Sequence, residues 1–334
     1  MGKKIFYSKG REGDFQDIHI TRMYSSFVTV SEGRIIRITD PFLKYCPLAH
    51  FLYRGIKSAG NSNSELIKAI KKAVEENISK FGSFTEKRKL YRKDIAIPYG
   101  ASETMMYAMR KNVIDSAVLV CDGAGTVIVN RPEIVQGIGA RMNGLFYTTP
   151  IDKIIERLEK YDCEIVFPET ADIKQIEGLR RAAELGSKKI AVTINGSMGE
   201  SLKDIKEIEK DNEVLIISLV VCTTGVKEER IEEIKDYADL VWSCTSEGIR
   251  KKIGKKAILQ LSTAIPVFAL TEKGLNFLTG YSNQEELIRK LDPGKQYLIS
   301  GKHEGKKIRI GNFNSYLSEA KLPVRSKREP RPLT

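Results

Sequence analysis

The sequence predicts an α/β protein with a mostly parallel sheet built from βα repeats. Between residues 94 and 280, short apolar runs alternate with helix-like stretches about 20–30 residues apart, which is the spacing of βαβ units. The runs are apolar at successive positions rather than at alternate ones, as expected of strands that are covered on both faces. A doubly wound open sheet is our first choice, and a barrel-like closure is the second. In both arrangements ligands bind beyond the carboxyl ends of the strands.

The elements of this core follow one another along the chain. Its strand-like runs are, in order, DIAIP, SAVLVC, CEIVF, KKIAVTI, EVLIISLVVC, DLVWSC, AILQL and IPVFAL. The helix-like stretches between them are SETMMYAMRKN, IDKIIERLEKY, IKQIEGLRRAAEL, ESLKDIKEIEK and KEERIEEIKDYA. Their apolar residues recur at helical spacing, which predicts helices that pack one face on the sheet.

The chain divides into four predicted regions. They are an N-terminal β-hairpin with the loop around Cys46 (1–60), an amphipathic helix with a basic connector (61–93), the α/β core (94–280), and a C-terminal helix, hairpin and basic tail (281–334). Strand-like runs joined by turn residues predict the two hairpin appendages at 22–39 and 296–311. Helical spacing over 65–81 follows a capping box of Ser62 and Glu65. We expect the proline- and lysine-rich last fifteen residues to be mobile.

Composition places the chain among ordinary globular proteins. It has 334 residues, of which 41% are hydrophobic, and it lacks an apolar run of about eighteen residues. No apolar stretch follows the charged residues at its start, so we do not expect a secretory signal. We therefore expect a cytoplasmic protein that does not enter the membrane. The net charge of +12 is first explained by a charged, soluble surface, and the alternative is an anionic partner, either an acidic protein or an anionic small molecule. No recognisable nucleic-acid-binding motif accompanies the charge, so nucleic acid is not the expected partner.

Four of the five cysteines stand where ligands usually bind. Cys121, Cys222 and Cys244 each close an apolar run and precede a turn-prone stretch, while Cys46 lies in the loop YCPL. Thiols that converge there would hold a [4Fe–4S] cluster or another thiophilic metal. The alternatives are a single reactive cysteine and simple packing as small buried residues. Cys163 begins a strand, and we assign it to packing.

The loop that follows Cys121 carries a second set of candidates. Gly123 and Gly125 would let backbone amides approach an anion closely, with Thr126 beside them. Asp122 is a candidate acid or base, and Cys121 a candidate nucleophile. The loop has neither the Gly-Lys-Ser/Thr of a Walker A motif nor the third glycine of a dinucleotide fingerprint. A tight structural turn is the alternative.

Three further residues are predicted to bind the anionic part of a ligand or cofactor. Arg141 lies in the glycine-rich stretch GIGAR, and Thr223 with Thr224 forms the strand-end loop CTTG. Arginine pairs with carboxylate and phosphate groups, and such loops hold anions at helix starts. A solvated arginine and an ordinary turn are the alternatives. Hydrolase chemistry is disfavoured because none of the three histidines lies in the α/β core.

A series of segments between residues 20 and 275 forms a specific pattern. They are YCPL (45–48), GASE (100–103), VCDGAGTV (120–127), VQGIGARMNGL (135–145), TTPI (148–151), KKIAVTI (188–194), YADLVWSC (237–244) and IPVFALTEKG (265–274). Together they resemble the methanogenesis marker protein 8 family. The resemblance implies an anaerobic setting and a link to the methyl-coenzyme M reductase pathway or to maturation of its nickel cofactor. A histidine often stands in that family at the position of Cys222, which favours metal ligation there over nucleophilic catalysis.

The sequence thus favours a thiol-ligated metal protein of anaerobic metallocofactor or methyl-transfer metabolism. Its ligands would be Cys121, Cys222 and Cys244, with Cys46 as the fourth, and its role would be cofactor maturation or electron supply. A metal-free lyase or transferase that acts on an anionic small molecule is the alternative. A non-enzymatic assembly partner of an acidic protein is the third hypothesis. Neither the reaction nor the substrate follows from the sequence.

Overall fold

The protein is described by a computed structural model over residues 15–58, 60, 62–142, 144–292, 294–302 and 304–334. The basic cluster at 3–11 and His303, both considered in the sequence, lie outside these residues.

The strands are β1 His19–Met23, β2 Ser26–Ser31, β3 Arg34–Ile38, β4 Ser116–Cys121, β5 Gly125–Val129, β6 Leu145–Thr148, β7 Glu164–Ile165, β8 Lys189–Asn195, β9 Leu215–Val221, β10 Leu240–Trp242, β11 Leu259–Leu261, β12 Val267–Ala269, β13 Tyr297–Ser300, β14 Lys306–Ile310 and β15 Phe313–Glu319. The helices are α1 Pro47–Leu52, α2 Arg54–Lys57, α3 Asn63–Phe81, α4 Ala101–Arg110, α5 Pro132–Gly139, α6 Asp152–Glu159, α7 Gln175–Glu184, α8 Leu202–Asp211, α9 Glu228–Tyr237, α10 Glu272–Thr279 and α11 Glu285–Arg289. None of the helices in the described ranges has both the length and the apolar character needed to cross a membrane.

The centre of the fold is a large mixed sheet. In the described part of the chain it has eleven strands in the order β14-β15-β13-β11-β12-β10-β9-β8-β4-β5-β7. The four central strands β10, β9, β8 and β4 pair in parallel, as the βα repeats predict. The flanking pairs are antiparallel except for β11 with β13. The α/β class is confirmed and the sheet is not a closed barrel, but a continuous parallel arrangement is found only in the four central strands.

Successive residues of the central strands enter two different apolar cores. On one face, Leu119 packs with residues from α4, α5, α6, α10 and α11, and on the other Val118 packs with residues from α7, α8 and α9. Because helices cover both faces, apolar residues stand at successive positions over most of each of these strands. This explains the continuous apolar runs in the sequence.

A small antiparallel sheet, with strand order β3-β2-β1-β6, lies beside the large one. The predicted hairpin of β2 and β3 is confirmed, but the run RMYSSFVTV contains two strands instead of one. The chain turns at Tyr24, whose φ of 65° reverses its direction between β1 and β2. The predicted helix over 65–81 is confirmed as α3, with the Ser62 hydroxyl accepting the backbone N–H of Glu65 at 3.3 Å.

The C-terminal region differs from its prediction in two respects. The hairpin expected at 296–311 does not form, because β13 pairs with β11 and β15, and the hairpin is that of β14 with β15. These strands extend the large sheet and are not an appendage. The tail expected to be mobile also packs on the protein, with Glu329 only 8% exposed and Arg331 in a backbone bridge to Tyr45.

A buried ion pair ties the basic connector to the core. The Nε of Arg88 donates to Oδ1 of Asp122 at 2.8 Å, and the two side chains are 1% and 0% exposed. The second carboxylate oxygen accepts the backbone N–H of Phe84 at 2.6 Å, and Nη2 of Arg88 donates to the carbonyl of Ile138 at 3.0 Å. The connector is therefore not simply a solvated basic segment. Asp122 and Arg88 together hold the connector and the end of α5 beside the β4–β5 turn.

We expect the Arg88→Met variant to lose about 3–5 kcal/mol of unfolding free energy, because it leaves the Asp122 carboxylate buried without its counter-charge. Denaturant titration followed by circular dichroism measures this loss. The matched control is Lys87→Met at the exposed neighbouring position, which should change stability by no more than about 0.5 kcal/mol. Equal small effects of the two substitutions would contradict a structural role for the pair.

Candidate functional site

A cavity of about 280 Å³ lies at the carboxyl ends of the central strands, where the small sheet approaches the large one. The large sheet contributes Asn195, Cys222 and Cys244 from the ends of β8, β9 and β10, and the small sheet contributes Arg22 from β1. Residues of α1, the start of α4 and the segment after α5 complete the wall. This is the edge at which open α/β sheets bind their ligands.

Three of the four predicted thiol ligands line this cavity. They are Cys46, at the start of α1, and Cys222 and Cys244, which follow β9 and β10. Cys121 is not among the lining residues. It is fully buried, and its Sγ donates to the carbonyl of Asp122 at 3.4 Å. Because β4 turns back at once into β5, the end of this strand is covered and does not open into a loop.

Several residues of the cavity wall have a strained backbone. Cys222, Cys244 and Arg141 have φ values of 57°, 42° and 64°, a left-handed conformation that costs residues with a β-carbon free energy. Such strain occurs most often at functional sites, where the surrounding structure maintains it. Gly144 packs closely against Cys222, since a β-carbon on this glycine would lie 2.8 Å from the Sγ of Cys222.

Two thiols of the cavity, those of Cys222 and Cys46, are held in their neutral form. Burial, together with the neighbouring Cys244, raises the pKa of Cys222 to about 12, while Arg22 acts in the opposite direction. Burial also raises the pKa of Cys46 to about 11, and the backbone N–H groups of Ala49 and Leu48 only partly oppose this. These two side chains are therefore thiols, not thiolates, at neutral pH unless a cation enters the cavity.

Arg22 presents a desolvated positive charge to the cavity. Burial lowers its pKa, whereas the nearby Cys222 and Cys244 raise it. The guanidinium lies over the rings of Phe27 and Phe146, at 4.7 and 4.8 Å from their centroids. Its Nη1 donates to the carbonyl of Thr224 at 3.1 Å, but its buried Nε has no hydrogen-bond partner among the described residues.

Arg141 is a second arginine with an unused donor. Its guanidinium lies 5.2 Å from the ring centroid of Phe81, and its buried Nε also lacks a hydrogen-bond partner within the described residues. Buried donors are nearly always satisfied in proteins. Two unsatisfied arginine donors at one cavity therefore indicate a place for an acceptor supplied by a ligand.

The other predicted anion-binding residues use their polar groups within the protein. The backbone N–H of Gly123 donates to Thr148 Oγ1 at 2.8 Å, and a β-carbon on Gly125 would lie 2.2 Å from the carbonyl oxygen of Ala171. The hydroxyl of Thr126 donates to the carbonyl of Asp172 at 2.9 Å. The hydroxyl of Thr223 donates to the carbonyl of Trp242 at 2.6 Å. The loop after β4 is thus a packed turn. Of these candidates only Thr224, together with Arg141, lines the cavity.

The sequence did not reveal Arg22 or Trp242 as residues of the site. Arg22 lies in a strand-like run and gave no signal, because its place depends on the pairing of β1 with the distant β6. Trp242 lines the cavity from the last position of β10, and its indole N–H donates to the carbonyl of Tyr99 at 2.8 Å. Glu103, only 2% exposed, orders the loop before α4 by accepting the backbone N–H of Ala96 at 3.1 Å.

The thiols do not form a closed ligand set. Among the described residues, no three His, Cys, Asp or Glu side chains are grouped so as to hold a metal ion. Cys244 is nevertheless close enough to both Cys46 and Cys222 to affect their pKa values. The cavity therefore offers soft donors from three separate loops, and a metal site there remains a prediction.

A shallower groove adjoins the cavity between the two sheets. Arg22 and Thr224 line both spaces, and the exposed side chains of Phe42 and Met198 lie in the wall of the groove. Arg22 therefore borders both the groove and the cavity.

Most residues that line the cavity lie in the part of the chain that matches a known protein family. The sequence model of the family described as "Uncharacterized protein conserved in archaea (DUF2099)" matches residues 19–281. The "Uncharacterized protein MJ0054" of Methanocaldococcus jannaschii is 40% identical over 251 residues, which are 75% of this chain and 85% of that protein. No solved structure matches the chain at a significant level. The lining residues from Arg22 to Ile265 fall within the matched range, whereas Pro330 lies beyond it.

We expect Gly144→Ala to lower the free energy of unfolding more than Gly186→Ala does. Both glycines have positive φ, at 123° and 91°, but a β-carbon on Gly186 would meet nothing within 4 Å. The control therefore reports backbone strain alone, and the additional loss of about 1 kcal/mol in Gly144→Ala reports the contacts with Cys222 and, less closely, Phe146. Equal losses in denaturant titrations would show that Cys222 does not restrict this position.

Proposed function

For this chain, which belongs to the archaeal family whose sequence model matches residues 19–281, we propose that the cavity is a binding site for a small anionic molecule. The observation that supports it most directly is the pair of arginines, Arg22 and Arg141, whose buried Nε atoms have no partner among the described residues. Carboxylate and phosphate groups accept such donors in charge-assisted hydrogen bonds.

The environment of Arg22 favours an anion over a neutral ligand. No carboxylate in the described part of the chain forms an ion pair with either guanidinium, although Arg22 is desolvated enough for burial to lower its pKa. The rings of Phe27 and Phe146 hold its plane in position. An anion bound here would restore the solvation that the arginine loses on folding, and it would do so in a low dielectric where the interaction is strong.

The remaining wall would contact the rest of the ligand. The cavity volume of about 280 Å³ suits a small metabolite, near the lower end for ligand pockets. Cys46, Cys222 and Trp242 present apolar or weakly polar surfaces to it. The four parallel strands would act as the doubly wound unit of the predicted fold, with the ligand at their carboxyl edge. A metal-free lyase or transferase acting on such an anion agrees with this arrangement.

Arg22→Met should weaken binding of inorganic phosphate or succinate about tenfold or more, because hydrogen bonds to charged groups contribute about 1.5–3 kcal/mol. Isothermal titration calorimetry measures the two affinities. Arg34→Met, at an exposed position of the same small sheet, is the matched control and should bind as the wild type does. Unchanged affinity of Arg22→Met, or an equal loss in both variants, would contradict the proposed site.

A thiol-ligated metal is the second candidate. It is supported by the convergence of Cys46, Cys222 and Cys244 on one cavity and by the strained backbone of the latter two. These three side chains would supply the thiolates, and a [4Fe–4S] cluster or another thiophilic ion would provide redox or Lewis-acid chemistry. The resemblance to methanogenesis marker protein 8 gives the setting of this candidate. That setting is cytoplasmic, anaerobic metallocofactor or methyl-transfer metabolism, in cofactor maturation or electron supply.

Anaerobic purification followed by iron, nickel, zinc and sulfide analysis tests the second candidate. Wild-type protein and the Cys163→Ser control should carry the same metal content, because Cys163 lies in the apolar core. The double variant Cys222→Ser, Cys244→Ser should lose it. Metal-free wild-type protein, or equal metal content in all three proteins, would rule out ligation by these thiols.

A further inference from the structure

We propose that residues 329–334 form a strap that closes one side of the cavity and holds its three thiol-bearing loops together. Pro330 of this strap is itself part of the cavity wall. The inference does not depend on which ligand the cavity takes, because it concerns the loops that form the wall.

The strap is joined to the loop of Cys46 by backbone pairing. The N–H of Arg331 donates to the carbonyl of Tyr45 at 2.9 Å, and the carbonyl of Arg331 accepts the N–H groups of Tyr45 and Lys44 at 3.1 and 2.7 Å. The guanidinium of Arg331 also lies 4.9 Å from the ring centroid of Tyr45. Since Tyr45 directly precedes Cys46, this pairing fixes the position from which Cys46 enters the cavity.

Thr334 joins the strap to both other thiol loops. Its N–H donates to the carbonyl of Thr245 at 2.9 Å, and its carbonyl accepts the N–H of Glu247 at 2.7 Å. Its hydroxyl accepts the N–H of Gly225 at 3.3 Å. Thr245 follows Cys244 and Gly225 belongs to the loop of Cys222, so one residue contacts the loops that follow β9 and β10.

A buried carboxylate anchors the other end of the strap. Glu329 is 8% exposed and accepts two hydrogen bonds from Arg325, at 2.6 and 2.7 Å. It also lies 3.5 Å from the Nε of the fully buried Arg250, whose Nη2 donates to the carbonyl of Cys244 at 2.7 Å. Arg250 therefore links Glu329 of the strap to the loop that carries Cys244.

Release of the strap would expose the cavity on the side of Cys46 and Cys244. The strap lies beyond the range of the family match, which ends at residue 281.

Labelling with N-ethylmaleimide, followed by peptide mass spectrometry, tests the strap in the full chain and in a chain that ends after Arg328. We expect the truncated chain to be labelled about tenfold faster or more at Cys46 and Cys244, as for a segment released from local protection. Labelling of Cys163, which lies in the apolar core, is the internal reference and should not change. Lys327→Ala, at an exposed position just before the strap, should be labelled as the wild type is.

A second variant keeps the chain length. Arg331→Pro removes the N–H that bonds Tyr45 and should raise the labelling rate at Cys46 selectively, with Cys163 unchanged. Unchanged rates at Cys46 and Cys244 in both variants would overturn the proposal. So would a rise at Cys163 in step with the other two thiols in both variants, because the whole fold would then have opened.

Discussion

The parallel pairing of β4, β8, β9 and β10 determines where the site can form. The backbone register places Val221 of β9 beside Asn195 of β8, and Val220 beside Val241 of β10. The residues that follow these strands must therefore emerge at nearly the same level. Cys222 and Cys244 become neighbours for this reason, although 21 residues separate them in the sequence. The small sheet then covers this edge, and the space between the two becomes the cavity.

Two arginines, the buried Arg88 and the partly buried Arg22, have very different hydrogen-bond environments. Arg88 is completely enclosed, but Asp122 and the carbonyl of Ile138 satisfy its donors, so it acts as a structural joint. Arg22 has aromatic faces and a single carbonyl, and its Nε stays unpaired among the described residues. Maintaining such a group costs free energy unless a ligand completes its hydrogen bonds. Together with the neutral thiols nearby, this makes the cavity more receptive to an anion than to a cation until a metal deprotonates the thiols.

The sequence predicted those features that depend on interactions between residues close together in the chain. The apolar runs between residues 94 and 280, the capping box at Ser62 and the strand-end positions of Cys222 and Cys244 follow from short-range spacing. Cys121 shows the limit of this reasoning. It also ends a strand, but the immediate return of the chain into β5 buries it. Arg22 and the strap depend on contacts between segments more than a hundred residues apart, for which a single sequence contains no periodic signal.

Anomalous diffraction from crystals soaked in selenate would test the central claim most directly. Selenate is a tetrahedral oxyanion whose position can be located independently of the protein atoms. If the cavity is an anion site, the strongest selenium peak will lie within hydrogen-bond distance of the Arg22 guanidinium, at the carboxyl edge of β8, β9 and β10. Selenium peaks only at exposed lysines and arginines, with none beside Arg22, would contradict it.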